Sequence, residues 1–371
     1  MRKSAVVDLR SPRTGGPLTL EAFACAQDHV LEGVLHGGPN EWFPIVDGLP
    51  IFPSHALKPD LNAFCARHGL PAPACQPDAS GQSRTNDTFS DKWRRFKNYG
   101  LEAEHRPFLL GWYVKKFGLK SIEDLPGFYR QFKRILEVGP GSGFHTRTMA
   151  EMSNADVFAL DISHGARTTL DNTRGMDRVI VVNADLFESP FPDNYFDFIV
   201  ADGVLHHTPS TRGGLQALYR KLAPGGRFFF YVYRKMGAAR QFIDEKIRES
   251  YTRLSSEDCY KACRAITDLG RALSNLKATI ELDAAIPVLG LPAGKHDVQR
   301  FFYYGFMKCF WNDAFDYETN NMVNFDWYHP HYAWQHEQAE VEGWLADLGV
   351  KDYAVNDANP NGISVLARKP T

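Results

Sequence analysis

The chain has 371 residues, 44% hydrophobic and 23% charged, enough for one large folded unit with a smaller companion. Its 42 Lys and Arg stand against 44 Asp and Glu, so no global positive field gathers a polyanion, which argues against dedicated nucleic-acid binding. No run reaches the roughly 20 apolar residues of a membrane span, the first residues lack a signal peptide's apolar stretch, and six irregularly spaced cysteines (Cys25, Cys65, Cys75, Cys259, Cys263 and Cys309) read as free thiols, so a cytoplasmic protein is expected.

Residues 17–53 read as short strands around Gly and Pro turns, with Asp47-Gly48 as a hairpin step. The Pro, Ala, Gly, Ser and Gln of residues 71–88 have linker composition, which divides a module over 1–70 from a main domain over 89–371. Residues 89–96 predict a helix start, with Ser90 as N-cap and Trp93 and Phe96 on one face. From Arg134 short apolar runs at 135–138, 156–160, 178–182, 196–200 and 227–233 alternate with helical patterns. That rhythm predicts an α/β fold: a Rossmann-like, doubly wound parallel sheet covered by helices on both faces. About 100 residues then intervene, 234–336, with helices over 238–254 and 256–278 followed by an aromatic run. The segment 324–331 looks too polar and aromatic for a plain helix. A helix over 337–348, capped by Gly349, and strands at 350–355 and 363–367 joined by a turn at 359–362 complete the chain, so the last strand is antiparallel.

The most informative run is Glu137-Val138-Gly139-Pro140-Gly141-Ser142-Gly143-Phe144, which leaves a strand and enters a helix. Its glycines allow a tight turn and close approach of a ligand. A dinucleotide fingerprint needs its third glycine one residue later, so the loop suits a ligand without a pyrophosphate. Asp161 ends the second strand, where one carboxylate can accept both hydroxyls of a ribose. Asp185 follows the third, where a carboxylate can accept from an adenine amino group.

Residues 135–146, 159–163, 183–186 and 196–208, with Leu222-Ala223-Pro224-Gly225-Gly226, resemble in order and spacing the successive motifs of class I S-adenosylmethionine-dependent methyltransferases. The resemblance covers roughly 89–234 and the C-terminal helix and hairpin. It implies S-adenosylmethionine as cofactor, held by Glu137, Gly139, Gly141 and Gly143 of the loop, by Asp161 and Ile162 at the ribose, and by Asp185 and Leu186 at the adenine. Asp202 and Gly203 would run beside the methionine. Residues 18–52 resemble the small zinc-ribbon-like module of activator subunits of tRNA and protein methyltransferases. Only Cys25 and His29 stand where metal-binding members carry cysteine pairs, so a metal-free remnant is expected.

The insertion over 234–336 is expected to be a lid above the cofactor, with Trp311, Trp327 and His331, together with Trp93, meeting the substrate. His207, His329 and Tyr303 are the candidate catalytic groups, since a histidine at a cleft can take a proton during methyl transfer. His329 and His331 lack further ligands, so no metal is expected. The leading reading is methyl transfer to oxygen, nitrogen or carbon of a small-molecule substrate. The rivals are a tRNA or protein methyltransferase and a non-catalytic cofactor-binding scaffold.

Overall fold

Alternating polar and apolar residues near the N-terminus form a four-stranded antiparallel sheet of β1 (Thr19–Ala26), β2 (His29–Gly38), β3 (Glu41–Val46) and β4 (Leu49–Pro50), in that order. The turn into β4 places Asp47 at φ 47° and Gly48 at φ 80°. Two successive left-handed residues are what a tight hairpin of native twist requires. In this computed structural model the described residues are 1–38, 40–53, 61–71, 81–356 and 360–371; Cys75 and most of the sequence before Gly81 that reads as linker lie outside them.

A short helix, α1 (Asn62–His68), is followed by α2 (Gln82–Arg95), α3 (Arg106–Lys116) and α4 (Asp124–Tyr129). The helix expected to begin at Ser90 therefore begins at Gln82, inside the segment whose composition suggested a linker. Its buried face is polar, made of Gln82, Thr85, Thr88, Ser90 and Lys92, so it carries no apolar periodicity to read. Hydrogen bonds replace apolar contact there: the Thr88 hydroxyl lies 2.8 Å from His329 Nδ1 and Ser90 Oγ accepts from the His164 amide at 3.0 Å.

The main sheet is built as expected from β5 (Arg134–Val138), α5 (Phe144–Met152), β6 (Asp156–Asp161), α6 (Gly165–Asn172), β7 (Val179–Asn183), β8 (Phe196–Asp202), α7 (Thr211–Lys221) and β9 (Leu222–Arg234). The insertion follows as α8 (Ala238–Tyr251), α9 (Ser256–Asn275), the hairpin β10 (Thr279–Leu282) and β11 (Gly294–Asp297), α10 (Val298–Gly305) and α11 (Tyr317–Tyr328). The chain closes with β12 (Gln335–His336), α12 (Gln338–Asp347), β13 (Asp352–Asn356) and β14 (Gly362–Arg368). The strand order is β13-β14-β9-β8-β5-β6-β7, with β12 beside β9. Strands β5 to β9 pair in parallel, and β14 lies antiparallel to β9 and β13. Order reverses between β5 and β8, the place where such sheets open a ligand crevice at their carboxyl ends.

The sheet is closed on both faces by apolar packing, and one of its cores is shared with the N-terminal module. Val30, Leu35, Phe43, Ile45 and Phe52 belong to the same buried cluster as Phe158, Ile180 and Val182. The Phe52 amide also donates to the Asn183 carbonyl at 2.9 Å.

Helix α11 corrects the reading of 324–331 as non-helical over residues 324–328, while 329–331 lie beyond its end. Asn320, Asn321 and Asn324 all lie in the protein interior, yet each is hydrogen-bonded. Asn324 donates to Thr267 Oγ1 at 2.9 Å and accepts from the Phe310 amide at 2.7 Å; Asn321 donates to the Tyr260 carbonyl at 2.9 Å. Asp316 caps the start by accepting from the Thr319 amide at 2.7 Å. Polar residues satisfied in this way cost little to bury, so the absence of an apolar stripe did not prevent a helix. Among the described residues no helix is long and apolar enough to cross a membrane.

Candidate active site

A cavity of about 340 Å³ opens at the carboxyl ends of β5, β6, β7 and β8, a size usual for small-molecule sites. Its floor is the turn leaving β5. Gly139 and Gly141 adopt φ of 67° and 61°, in the left-handed region, which favours glycine. Space imposes the same choice. A Cβ on Gly139 would lie 2.5 Å from Val204 Cγ2, and one on Gly141 would collide with the Trp93 indole. Gly143 begins α5 at φ 80° and backs onto Thr169 rather than the cavity.

Glu137 anchors this turn from below. It accepts from the Thr146 hydroxyl, and its other oxygen lies 3.3 Å from His145 Nδ1. Asp161, 6% exposed, accepts at one oxygen from the Ser163 amide and hydroxyl, both at 2.7 Å. Burial pushes its carboxyl upward, opposed by the Ser163 donations. Asp185 caps the turn after β7 through the Phe187 amide at 2.9 Å and also faces the cavity. Capping is thus part of its role, as for many acids after strands. Ile162, Leu186, Asp202 and Gly203 line the same cavity. The loop and the acids at the ends of β6 and β7 are brought together; Gly141 and Gly143 shape the wall without lining it.

The remaining wall departs from expectation. Phe89, Trp93, Tyr99, Trp112, Tyr113, Tyr231 and Tyr233 supply its aromatic faces, mainly from α2, α3 and β9. The insertion contributes Lys308, Met322, Val323 and Asp326. Its own aromatics turn away. Trp327 is 1% exposed and donates to Asp244 at 3.1 Å; Tyr303 accepts from Asn361 at 2.9 Å and stacks under the Arg240 guanidinium at 4.8 Å. Trp311 donates to Asp313 at 2.6 Å, and His331 lies 2.7 Å from Arg84. Of the four substrate candidates only Trp93 lines the cavity. Trp327 joins the insertion's own core, where burying aromatic area lets α8 to α11 fold, while Trp311 and His331 are held by Asp313 and Arg84.

Among the catalytic candidates the structure separates His207 from the rest. His329 lies between Thr88 and the Leu254 carbonyl, 2.8 and 3.2 Å away, with both ring nitrogens engaged; neither it nor Tyr303 lines the cavity. His207 does. Its Nδ1 is 2.7 Å from the Tyr332 carbonyl, an acceptor only, so the proton resides on Nδ1 and Nε2 keeps its lone pair. Burial pulls its pKa down to about 4, against that hydrogen bond. The imidazole is therefore neutral at physiological pH, the state a proton acceptor needs.

The same depression predicts a pH effect on stability. An unfolded chain takes up the proton near 6.5, while the folded protein resists to about 4, so this contribution is complete above about 6.5 and is lost as pH falls toward 4. Urea unfolding at pH 5 should show about 2 kcal/mol less stability from His207 alone than at pH 7. A His207→Gln variant should lose that part of the slope; an equal slope in both proteins would contradict the buried neutral state.

Two charged residues at the site carried no sequence signal. Lys116, at the end of α3, pairs with Asp202 at 2.7 Å and lies 4.8 Å above the Tyr231 ring. Lys308 lies 4.2 Å over the Trp327 ring. A lysine ending a helix, or set in an aromatic run, ordinarily reads as a solvated surface residue. Among the described residues no cluster of three or more His, Cys, Asp or Glu is placed to hold a metal.

Residues 136–230, from β5 into β9, match the family described as Methyltransferase domain. This stretch resembles a methyltransferase domain. The chain is 34% identical over 107 residues to cycloartenol-C-24-methyltransferase of Arabidopsis thaliana, covering 27% of this chain and 31% of that protein. Over 127 residues the chain is 31% identical to the ubiquinone/menaquinone biosynthesis C-methyltransferase UbiE of Vibrio cholerae, covering 33% of this chain and 47% of that one. The chain thus spans less than half the length of these curated relatives. It is also similar to the solved N-methyltransferase NodS of Bradyrhizobium japonicum in complex with S-adenosyl-L-homocysteine, at 12% identity and TM-score 0.39 over 78% of this chain and 100% of that one. The matched residues hold the glycine turn and both acids; α2, α3 and the insertion, which supply the opposite wall, lie outside them.

Proposed function

We propose that this chain transfers the methyl group of S-adenosylmethionine to a small-molecule acceptor. The observation that carries the reading is the single cavity in which the Gly139 turn, Asp161, Asp185 and the neutral His207 converge. When bound, the cofactor supplies a methyl carbon made electrophilic by its sulfonium. The chain's own residues supply position and a dry surround. The bare backbone at Gly139 admits close approach of the methionine part. Asp161 and Asp185 accept hydrogen bonds from the ribose and the adenine. Nε2 of His207 takes the proton that an oxygen or nitrogen acceptor releases.

The small-molecule reading is supported by the size of the cavity, the near balance of charge and the names of the relatives, a cycloartenol and a ubiquinone/menaquinone biosynthesis methyltransferase. In the same reading residues 234–336 are the lid on the acceptor side, and the N-terminal sheet is a metal-free structural relative of the zinc-ribbon module, packed on β7.

Calorimetry tests the cofactor assignment. S-adenosylhomocysteine should bind, and Asp161→Ala should weaken it by about 1.5–3 kcal/mol, the worth of hydrogen bonds to a charged group. Unchanged affinity in a folded variant rejects the ribose role. Turnover of S-adenosylmethionine with a metabolite extract separates an enzyme from a cofactor-binding scaffold.

A further inference from the structure

Lys308 is buried, 6% exposed, and lines the cavity on the side of the insertion. Its Nζ has no hydrogen-bond or ion-pair partner among the described residues. Two carboxylates act on it electrostatically, Asp326 and Asp244, and both have partners of their own. Asp326 accepts from Lys92 at 2.6 Å. Asp244 is shared by Arg240, Trp327, Tyr328 and the Lys308 backbone amide, at 2.8 to 3.1 Å. The ammonium rests instead on rings, 4.2 Å from the centroid of Trp327 and 5.9 Å from that of Tyr233. A desolvated cation with only aromatic faces beside it costs free energy that an apolar side chain would not. Burial accordingly holds its pKa down to about 8.

The Tyr233 ring fixes where this charge lies relative to the chemistry. His207 meets the same ring edge-on, with centroids 5.4 Å apart. A ligand that bridges Tyr233 has a cation at one end and a proton acceptor at the other. We propose that Lys308 is the seat of an oxyanion on the methyl acceptor, a carboxylate or a phosphate monoester, with the nucleophilic atom of the same molecule directed toward His207. The aromatic wall of Phe89, Trp93 and Tyr231 takes its body, so the acceptor is a compact, acidic, aromatic or otherwise flat apolar molecule. This rests on the methyltransferase reading and narrows its substrate class. It accounts for a charged residue in a position where Met or Leu would pack with less cost.

The test uses the full chain loaded with S-adenosylhomocysteine and three probes of one shape: benzoate, phenyl phosphate and the neutral benzamide. Wild type should bind at least one of the two anions about tenfold or more tightly than benzamide, as expected of hydrogen bonds to a charged group. The anion with the larger ratio identifies carboxylate or phosphate as the source. Lys308→Met should erase the preference and Lys308→Arg should keep most of it, while both bind S-adenosylhomocysteine as wild type does. The melting temperature of Lys308→Met should not fall, which shows that the variant is folded. Equal binding of all three probes, no binding of either anion, or a preference that survives Lys308→Met overturns the proposal. Failure to bind S-adenosylhomocysteine would instead strike the methyltransferase reading, and the probes titrated without it would still report on Lys308.

Discussion

Replacing Asp244 with alanine should lower folding stability by about 3–5 kcal/mol, the usual cost of stranding one member of a buried ion pair. Asp244 is 1% exposed and Arg240 fully buried. Arg240 Nε donates to Asp244 at 3.1 Å, and the same carboxylate accepts from Tyr328 at 2.8 Å, the Lys308 amide at 3.0 Å and Trp327 at 3.1 Å. Removing it leaves the guanidinium charge uncompensated and the Trp327 indole and Lys308 amide without this acceptor in a water-poor core, while Tyr328 keeps the Lys308 carbonyl at 2.9 Å. Arg240 retains only the Asn361 side-chain oxygen at 3.1 Å and the face of Tyr303 at 4.8 Å, neither of which neutralises its charge. Equilibrium urea unfolding should show the full loss in Asp244→Ala. The double variant Arg240→Met/Asp244→Leu should recover much of it, because replacing both partners removes the uncompensated charge. A loss below about 1 kcal/mol in the single variant would mean that water reaches this core.

His207→Ala should reduce kcat by about 10²–10⁴-fold once an oxygen or nitrogen acceptor is in hand, with little change in affinity for S-adenosylhomocysteine. The effect follows from a neutral imidazole whose Nδ1 is engaged by the Tyr332 carbonyl and whose ring lines the cavity. His329→Ala supplies the contrast. That ring is held by Thr88 and Leu254 outside the cavity, so its loss should lower stability by roughly 1–3 kcal/mol and leave kcat near wild type. Should His329→Ala abolish turnover in a fully folded protein while His207→Ala retains it, the two assignments exchange places.

The sheet was legible because its signals are local. Continuous apolar runs such as Ile135–Val138 and Phe196–Val200 announce buried parallel strands, and the glycine turn needs backbone conformations that few other residues adopt. Asp161 and Asp185 could be placed because strand ends project to one edge. The opposite wall had no such signature. Whether Trp93 or Trp327 meets a ligand depends on which core each ring joins, and both are aromatic residues on or beside helices. In the folded chain Trp93 reaches the cavity wall because Gly141 leaves room for it, whereas the aromatics of the insertion are claimed by their own core. Lys116 and Lys308 were invisible for a related reason: only the folded chain reveals that they are buried. The polar faces of α2 and α11 hid in the same way, since their hydrogen-bond partners come from distant parts of the sequence.

Helix α2 stands between both halves of the cavity. On the sheet side Ser90 accepts from the His164 amide, the Trp93 carbonyl accepts from Thr168, and the Trp93 ring covers Gly141. On the other side Lys92 pairs with Asp326, Thr88 meets His329, and Arg95 pairs with Glu257. A ligand pressing on Trp93 and another touching the Lys92–Asp326 pair thus act on one rigid rod. If the first narrows the positions that α2 samples, the second finds part of its ordering already done, and linkage requires that the help be returned in equal measure. Cofactor and acceptor would then bind with positive cooperativity, each raising the other's affinity by the same factor, over and above their contact at the methyl group.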